Sequence, residues 1–199
     1  MFNGIVETVG KVEHIHLEND CWHFTISSEK SLDDLKIDDS ISVNGVCLTV
    51  TGRNNNTFDV TAVPETLRLT NLKFLAPGSH VNLERAMQLN DRISGHSMQG
   101  HVDGVCDILD ILPEGAALLV KMSMPPALAN YIVDKGYIAL DGMSITVVRA
   151  EKDWFSVTFI PHTQKITIVN EYSIGAHVNV EVDVTGKYIE KMLRAYQTC

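Results

Sequence analysis

The stretch "SVNGVCLTV", Ser42 to Val50, returns 97 positions later as "ALDGMSITV", Ala139 to Val147. In each copy two β-branched runs are joined through Asn44-Gly45 or Asp141-Gly142. These residues tolerate positive φ at low cost and signal a tight hairpin turn. The copies differ where chemistry is carried, with Cys47 in the first and Ser144 in the second. Working outward, "NGIVETVGKV" (Asn3 to Val12) returns at an offset of 96 as "QGHVDGVCDI" (Gln99 to Ile108). At an offset of 97, "FDVTAVPET" (Phe58 to Thr66) matches "FSVTFIPHT" (Phe155 to Thr163) at five of nine positions, and "HVNLE" (His80 to Glu84) matches "HVNVE" (His177 to Glu181) at four of five. Four blocks in the same order define an internal duplication, and the one-residue slip in offset needs only a loop change.

Each half is a series of short β-rich runs broken by turn signals, about six strands in roughly 90 residues. That spacing predicts a closed or nearly closed antiparallel barrel, because closure removes exposed edges. The expected fold is all-β, with similar barrels over residues 1–96 and 97–185 and an α-helix over 186–199. Prolines at its start and glycine at its end make "PPALANYIVDKG" (Pro125 to Gly136) a further helix candidate. The tail places Ile189, Met192, Leu193 and Tyr196 on one helical stripe. It reads either as a helix packed on its own barrel or as a self-association helix.

The composition, 199 residues with 45% hydrophobic and 21% charged, is that of a globular protein. No segment approaches the roughly 20 apolar residues that span a bilayer, and the opening "MFNGIVETVG" has neither a basic start nor a long apolar run. Cys21, Cys47, Cys106 and Cys199 form no CxxC pair, which argues against a zinc site or a disulfide scaffold. The expected location is the cytoplasm. A net charge of −9 and an aromatic content of 7% work against nucleic-acid binding and favour a small neutral or weakly acidic ligand.

"MFNGIV", "GHSMQGHVDG", the paired "NGVCLTV" and "DGMSITV", and the paired "PETLRLTNL" and "PHTQKITIV" together resemble the riboflavin synthase family along essentially the whole chain. The resemblance implies two six-stranded Greek-key barrels with a C-terminal helix, assembled as a homotrimer. It also implies a transferase reaction in which a four-carbon unit passes from one 6,7-dimethyl-8-ribityllumazine molecule to a second, giving riboflavin and 5-amino-6-(D-ribitylamino)uracil. Two equal ligands need two similar pockets, and donor and acceptor roles require them to differ. The alternative is a non-catalytic lumazine- or flavin-binding antenna protein, which would keep the fold but lose residues of one pocket. Association with lumazine synthase stays open.

By the resemblance, one ring lies against Gly4, Ile5, Val6, Cys47, Leu48 and Thr49 and the run Thr61, Ala62, Val63, Pro64, Glu65, Thr66. The other lies against Gly100, His101, Val102, Ser144, Ile145 and Thr146 and the run Thr158, Phe159, Ile160, Pro161, His162, Thr163. Lys135 is expected near bound ligand, or else at a helix end where the dipole favours it. The C7 methyl of lumazine is acidic because its anion delocalises into the ring, so modest base assistance suffices and no metal or other cofactor is implied. His101 is the candidate base, while His96 shapes the site. Cys47 is the candidate nucleophile, against a packing role as a small buried residue. Ser144 and Asp183 are further catalytic candidates, and Asp141 and Thr146 hold the ribityl chain or relay protons. Three departures from the family pattern stand at Ser94, Val46 and Ile168, the last removing a hydroxyl expected at the edge of the second pocket.

Overall fold

The computed structural model describes residues 1–28, 32 and 34–197, with the side chains of 195–197 outside the description. The first barrel comprises β1 (Thr8–Glu18), β2 (Cys21–Ser28), β3 (Ser40–Val43), β4 (Val46–Arg53), β5 (Thr57–Ala62) and β6 (His80–Arg85), with α1 (Pro64–Leu69) between the last two. The second repeats it with β7 (Gly104–Glu114), β8 (Ala117–Ser123), β9 (Tyr137–Leu140), β10 (Met143–Ala150), β11 (Trp154–Phe159), α2 (Pro161–Ile166) and β12 (His177–Val182). Both sheets close in the same order, β1-β2-β5-β4-β3-β6 and β7-β8-β11-β10-β9-β12, a Greek-key arrangement.

Period-2 burial drives each strand. Along β5, Phe58, Val60 and Ala62 point inward and Thr57, Asp59 and Thr61 do not. Phe24, Ile26, Ile41, Val50 and Val60 fill the first barrel, and Ile108, Val120, Met122, Val147 and Phe155 the second. Each such large side chain contributes about 1.5–3 kcal/mol by leaving water. Register shifts recur at equivalent places, at Val12/His14 and Ile108/Asp110 and at Val50/Gly52 and Val147/Arg149. Bulges of this kind sharpen strand bending and so assist closure.

Asn44 and Gly45 adopt φ of 47° and 80°, and Asp141 and Gly142 adopt 43° and 80°, the double positive φ of a type I′ turn. The two turns meet back to back. A Cβ on Gly45 would stand 2.7 Å from the Gly142 nitrogen, and one on Gly142 2.8 Å from the Gly45 nitrogen. Around this contact lies a buried polar network. Asn71 donates from Nδ2 to Asp141 Oδ1 at 2.9 Å, Asn179 from Nδ2 to Asn71 Oδ1 at 2.8 Å, and Asn82 from Nδ2 to the Asp141 carbonyl at 2.9 Å.

The segment from Pro125 to Gly136 is not the expected helix. A 3-10 turn over Pro126–Leu128 is followed by turns, and Lys135 sits at φ 62°. Its N–H donates to the Val147 carbonyl at 2.9 Å, which pulls the chain into β9. α3 (Val184–Gln197) forms as expected, anchored by Lys187 to Asp103 at 2.6 Å and by Tyr131 to Glu190. Ile189, Met192 and Leu193 remain 53%, 64% and 56% exposed, so the stripe does not pack on its own barrel. The Tyr196 side chain and Cys199 lie outside the described residues.

Candidate active site

Two stations follow directly from the I′ turns. Cys47, in β4, donates its N–H to the Gly100 carbonyl at 2.8 Å, and Ser144, in β10, donates its N–H to the Gly4 carbonyl at 2.9 Å. Gly100 and Gly4 hold φ of 75° and 73°. A Cβ on either would stand 2.6 Å from the Cβ of Cys47 or Ser144, so only glycine permits the approach.

This pairing corrects the expected grouping of Gly4–Val6 with Cys47 and of Gly100–Val102 with Ser144. The segments preceding the two barrels cross, with Phe2 and Met98 exchanging N–H···O bonds at 2.9 and 3.0 Å. Val6 is buried in the core of the second barrel, and Val102 packs against that of the first. The fully buried Phe2 and Met98 anchor the exchange.

Two carboxylates absent from the sequence reading hold the crossed segments. Glu84, at the end of β6, accepts from the N–H groups of Asn3 at 2.6 Å and Gly4 at 3.0 Å. Glu181, in β12, accepts from Gln99 at 2.7 Å, Gly100 at 2.9 Å and His101 at 3.1 Å. Burial raises the Glu84 carboxyl to about 7, against the lowering effect of these donors, and Glu181 is raised for the same reason. Their signal was present in "HVNLE" and "HVNVE", strands whose charged and amide residues recur in both halves where alternation alone leaves them unexplained.

His96 belongs to the Ser144 station. Its Nδ1 lies 2.6 Å from Ser144 Oγ and its ring stacks on Tyr137 at 5.2 Å between centroids. Gly95 makes room, since a Cβ there would stand 2.7 Å from that of Ser144. Burial lowers the imidazole below its ordinary value and the Asp183 carboxylate opposes this, which favours a neutral ring beside a hydroxyl. Asp183 also caps α3 by accepting from Thr185 N–H at 2.8 Å. At the other station, Cys47, Glu65, Thr66, Gly100, His101 and Val102 line a cleft of about 160 Å3. The His101 side chain is exposed there.

The remaining predicted residues divide by strand alternation. Thr49, Val63, Glu65, Thr146, Ile160 and His162 are exposed, whereas Leu48, Ala62 and Phe159 turn their side chains into the cores and can offer a ligand only main-chain groups. Ile5, next to Gly4 in the chain, is exposed; Pro64 and Pro161 start the short helices α1 and α2. Thr61 is hydrogen-bonded to His23 Nδ1 at 2.9 Å, while Thr158, Thr163 and Ile145 are half-buried.

The Lumazine binding domain family matches this chain twice, over residues 3–86 and 99–183. The riboflavin synthase of Actinobacillus pleuropneumoniae is 45% identical over 193 residues, covering 97% of this chain and 90% of that protein, and that of Bacillus subtilis is 42% identical over the same shares. The chain belongs to the riboflavin synthase family. Among solved structures, LumP complexed with riboflavin superposes with a TM-score of 0.85 at 23% identity, covering 92% of this chain and 100% of that one, which shows the shared fold.

Two expectations drawn from the riboflavin synthase resemblance are relocated. Asp141 does not reach a pocket. It is fully buried between the barrels, accepting from Asn71, from Asn179 N–H at 2.8 Å and from Tyr172 OH at 2.8 Å, and burial raises it to about 7. Ile168 replaces a residue of this network instead of a pocket hydroxyl. It occupies the position equivalent to Asn71, is buried, and donates its N–H to Asn82 Oδ1 at 3.0 Å. Lys135 is exposed in its turn, with no helix end to stabilise it.

Proposed function

We infer that this chain is a riboflavin synthase, converting two molecules of 6,7-dimethyl-8-ribityllumazine into riboflavin and 5-amino-6-(D-ribitylamino)uracil. The observation that carries the reading is the pair of matched stations, alike in backbone and unlike in chemistry. Each offers glycine main chain at close approach and threonine hydroxyls, which suit a flat ring rich in carbonyls and ring nitrogens. One then presents Cys47 and His101, the other Ser144 hydrogen-bonded to His96.

The Ser144–His96 pair is suited to removing a proton from the acidic C7 methyl, with neutral imidazole as the acceptor and Tyr137 holding the ring. Cys47 is suited to adding to, or stabilising, the partner ring. Holding both rings converts an encounter into an oriented reaction.

We further read the active site as shared between subunits of a homotrimer. The cleft of about 160 Å3 beside Cys47 is smaller than the roughly 300–1,000 Å3 of small-molecule sites, which supports a site completed by a facing surface. The exposed stripe of α3 supplies an apolar surface for assembly. Lys135, exposed on its turn, is free of any barrel core and so available to a ligand, as the resemblance implies. No helix of the described residues is long and apolar enough to cross a membrane, and Cys21, Cys47 and Cys106 are unpaired, in keeping with the cytoplasm.

The test is incubation of the purified chain with dimethyl-ribityllumazine alone, following riboflavin fluorescence. One riboflavin per two lumazines consumed is expected. Stoichiometric binding without turnover would favour the antenna reading.

A further inference from the structure

The two buried glutamates have no role in the chemistry above, and neither has an ion-pair partner among the described residues. Lys187 lowers Glu181 at a distance but is hydrogen-bonded to Asp103 at 2.6 Å instead. Burying a carboxylate with no cation bonded to it is a poor way to stabilise a barrel, because the desolvation cost is returned only in part. It is an effective way to fix backbone. The two oxygens of each carboxyl accept from adjacent N–H groups that all point one way.

The connectivity says what is being fixed. From β6 of the first barrel, Glu84 holds the N–H of Gly4, and the Gly4 carbonyl holds the N–H of Ser144 in the second barrel. From β12 of the second barrel, Glu181 holds the N–H of Gly100, and the Gly100 carbonyl holds the N–H of Cys47 in the first barrel. We propose that Glu84 and Glu181 are crossed positioning residues, each carried by one barrel and setting the reactive residue of the other.

The proposal rests on the synthase reading only for turnover, so its deciding readouts use the full chain without substrate. They are the iodoacetamide alkylation rate of Cys47, followed by mass spectrometry of its peptide, and the imidazole NMR signals of His96, which report its contact with Ser144. Replacing either glutamate by glutamine sets an NH2 donor against N–H groups. Glu181→Gln should speed Cys47 alkylation about fivefold as Gly100 withdraws and leave the His96 signals in place. Glu84→Gln should shift the His96 signals and leave Cys47 alkylation unchanged. If a glutamine variant does not fold, Glu84→Asp or Glu181→Asp, which keeps the acceptor but shortens its reach, should give the same crossed pattern. Variants that change both readouts alike, or neither, would overturn the proposal. A wild-type chain without turnover would sink the synthase reading and leave these two measurements to decide the present one.

Discussion

Gly100→Ala tests the close approach on which the Cys47 station depends. The substitution has two costs. At φ 75° an alanine enters the left-handed region, at about 1–2 kcal/mol. Its Cβ also arrives 2.6 Å from Cys47 Cβ, 2.9 Å from Cys47 N and 3.0 Å from the Phe2 ring. Overpacking of this kind costs about 1–3 kcal/mol. Gly115→Ala separates the two effects, because Gly115 holds φ 61° in the β7–β8 hairpin with nothing within 4 Å of its added Cβ. Calorimetry should place Gly115→Ala a few degrees below wild type and Gly100→Ala about 10 °C below, at roughly 2–4 °C per kcal/mol for a chain of this size. Steady-state assays should show Gly115→Ala unchanged and Gly100→Ala reduced about 100-fold, since displacing a positioned group by ~1 Å is enough for such a loss. Equal melting points and near-normal turnover for the two variants would refute the claim that Gly100 is there for Cys47.

His96→Ala and Ser144→Ala should each lower kcat about 100-fold with a smaller change in KM, and the double variant should be little worse than either single one if the pair acts as a unit. Asn71→Ala leaves partners on Asp141 and Asn179 unmatched between the barrels and should cost about 2–4 kcal/mol in urea unfolding. The carboxyls of Glu84 and Asp141 are each raised to about 7 by burial, so the folded state binds protons that the unfolded state has already released above its ordinary carboxylate value. Their contribution to stability therefore falls as pH rises towards 7, by at most about 1.4 kcal/mol per pH unit for each group, and then levels. Asp141→Asn should flatten this slope between pH 5 and 7; an unaltered slope would remove Asp141 from the account. If α3 joins three copies as proposed, deleting the chain from Gly186 onward should leave a monomer in sedimentation and abolish turnover while lumazine binding persists.

The barrels were legible because duplication doubled every signal. Alternation, the Asn-Gly and Asp-Gly turns and four repeated blocks all pointed to one closed sheet written twice. Which segment served which station was not legible, because alignment of repeats says what is equivalent and not what touches. The exchange at Phe2 and Met98 depends on three-dimensional crossing that no periodicity encodes. Asp141 and Ile168 were misplaced for a related reason: residues at a turn and a helix start read as surface-accessible until a second barrel covers them. The contact of His96 with Ser144 was not legible because the two stand 48 positions apart. The helix expected over Pro125–Gly136 failed because its capping signals were consistent with a 3-10 turn followed by a left-handed Lys135.

The crossing of the two leading segments alters what can be recombined. A chimera joined at residue 97, taking one barrel from a relative, would inherit Cys47 from one parent and the glycine loop that receives it from the other, and likewise for Ser144. Both stations would then be hybrids even though each barrel was intact. Breakpoints that also transplant residues 1–6 and 97–102 with their spatial partners, instead of their sequence neighbours, keep each station of single parentage. In this protein the unit that can be moved without loss is the station, and it is discontinuous in the gene.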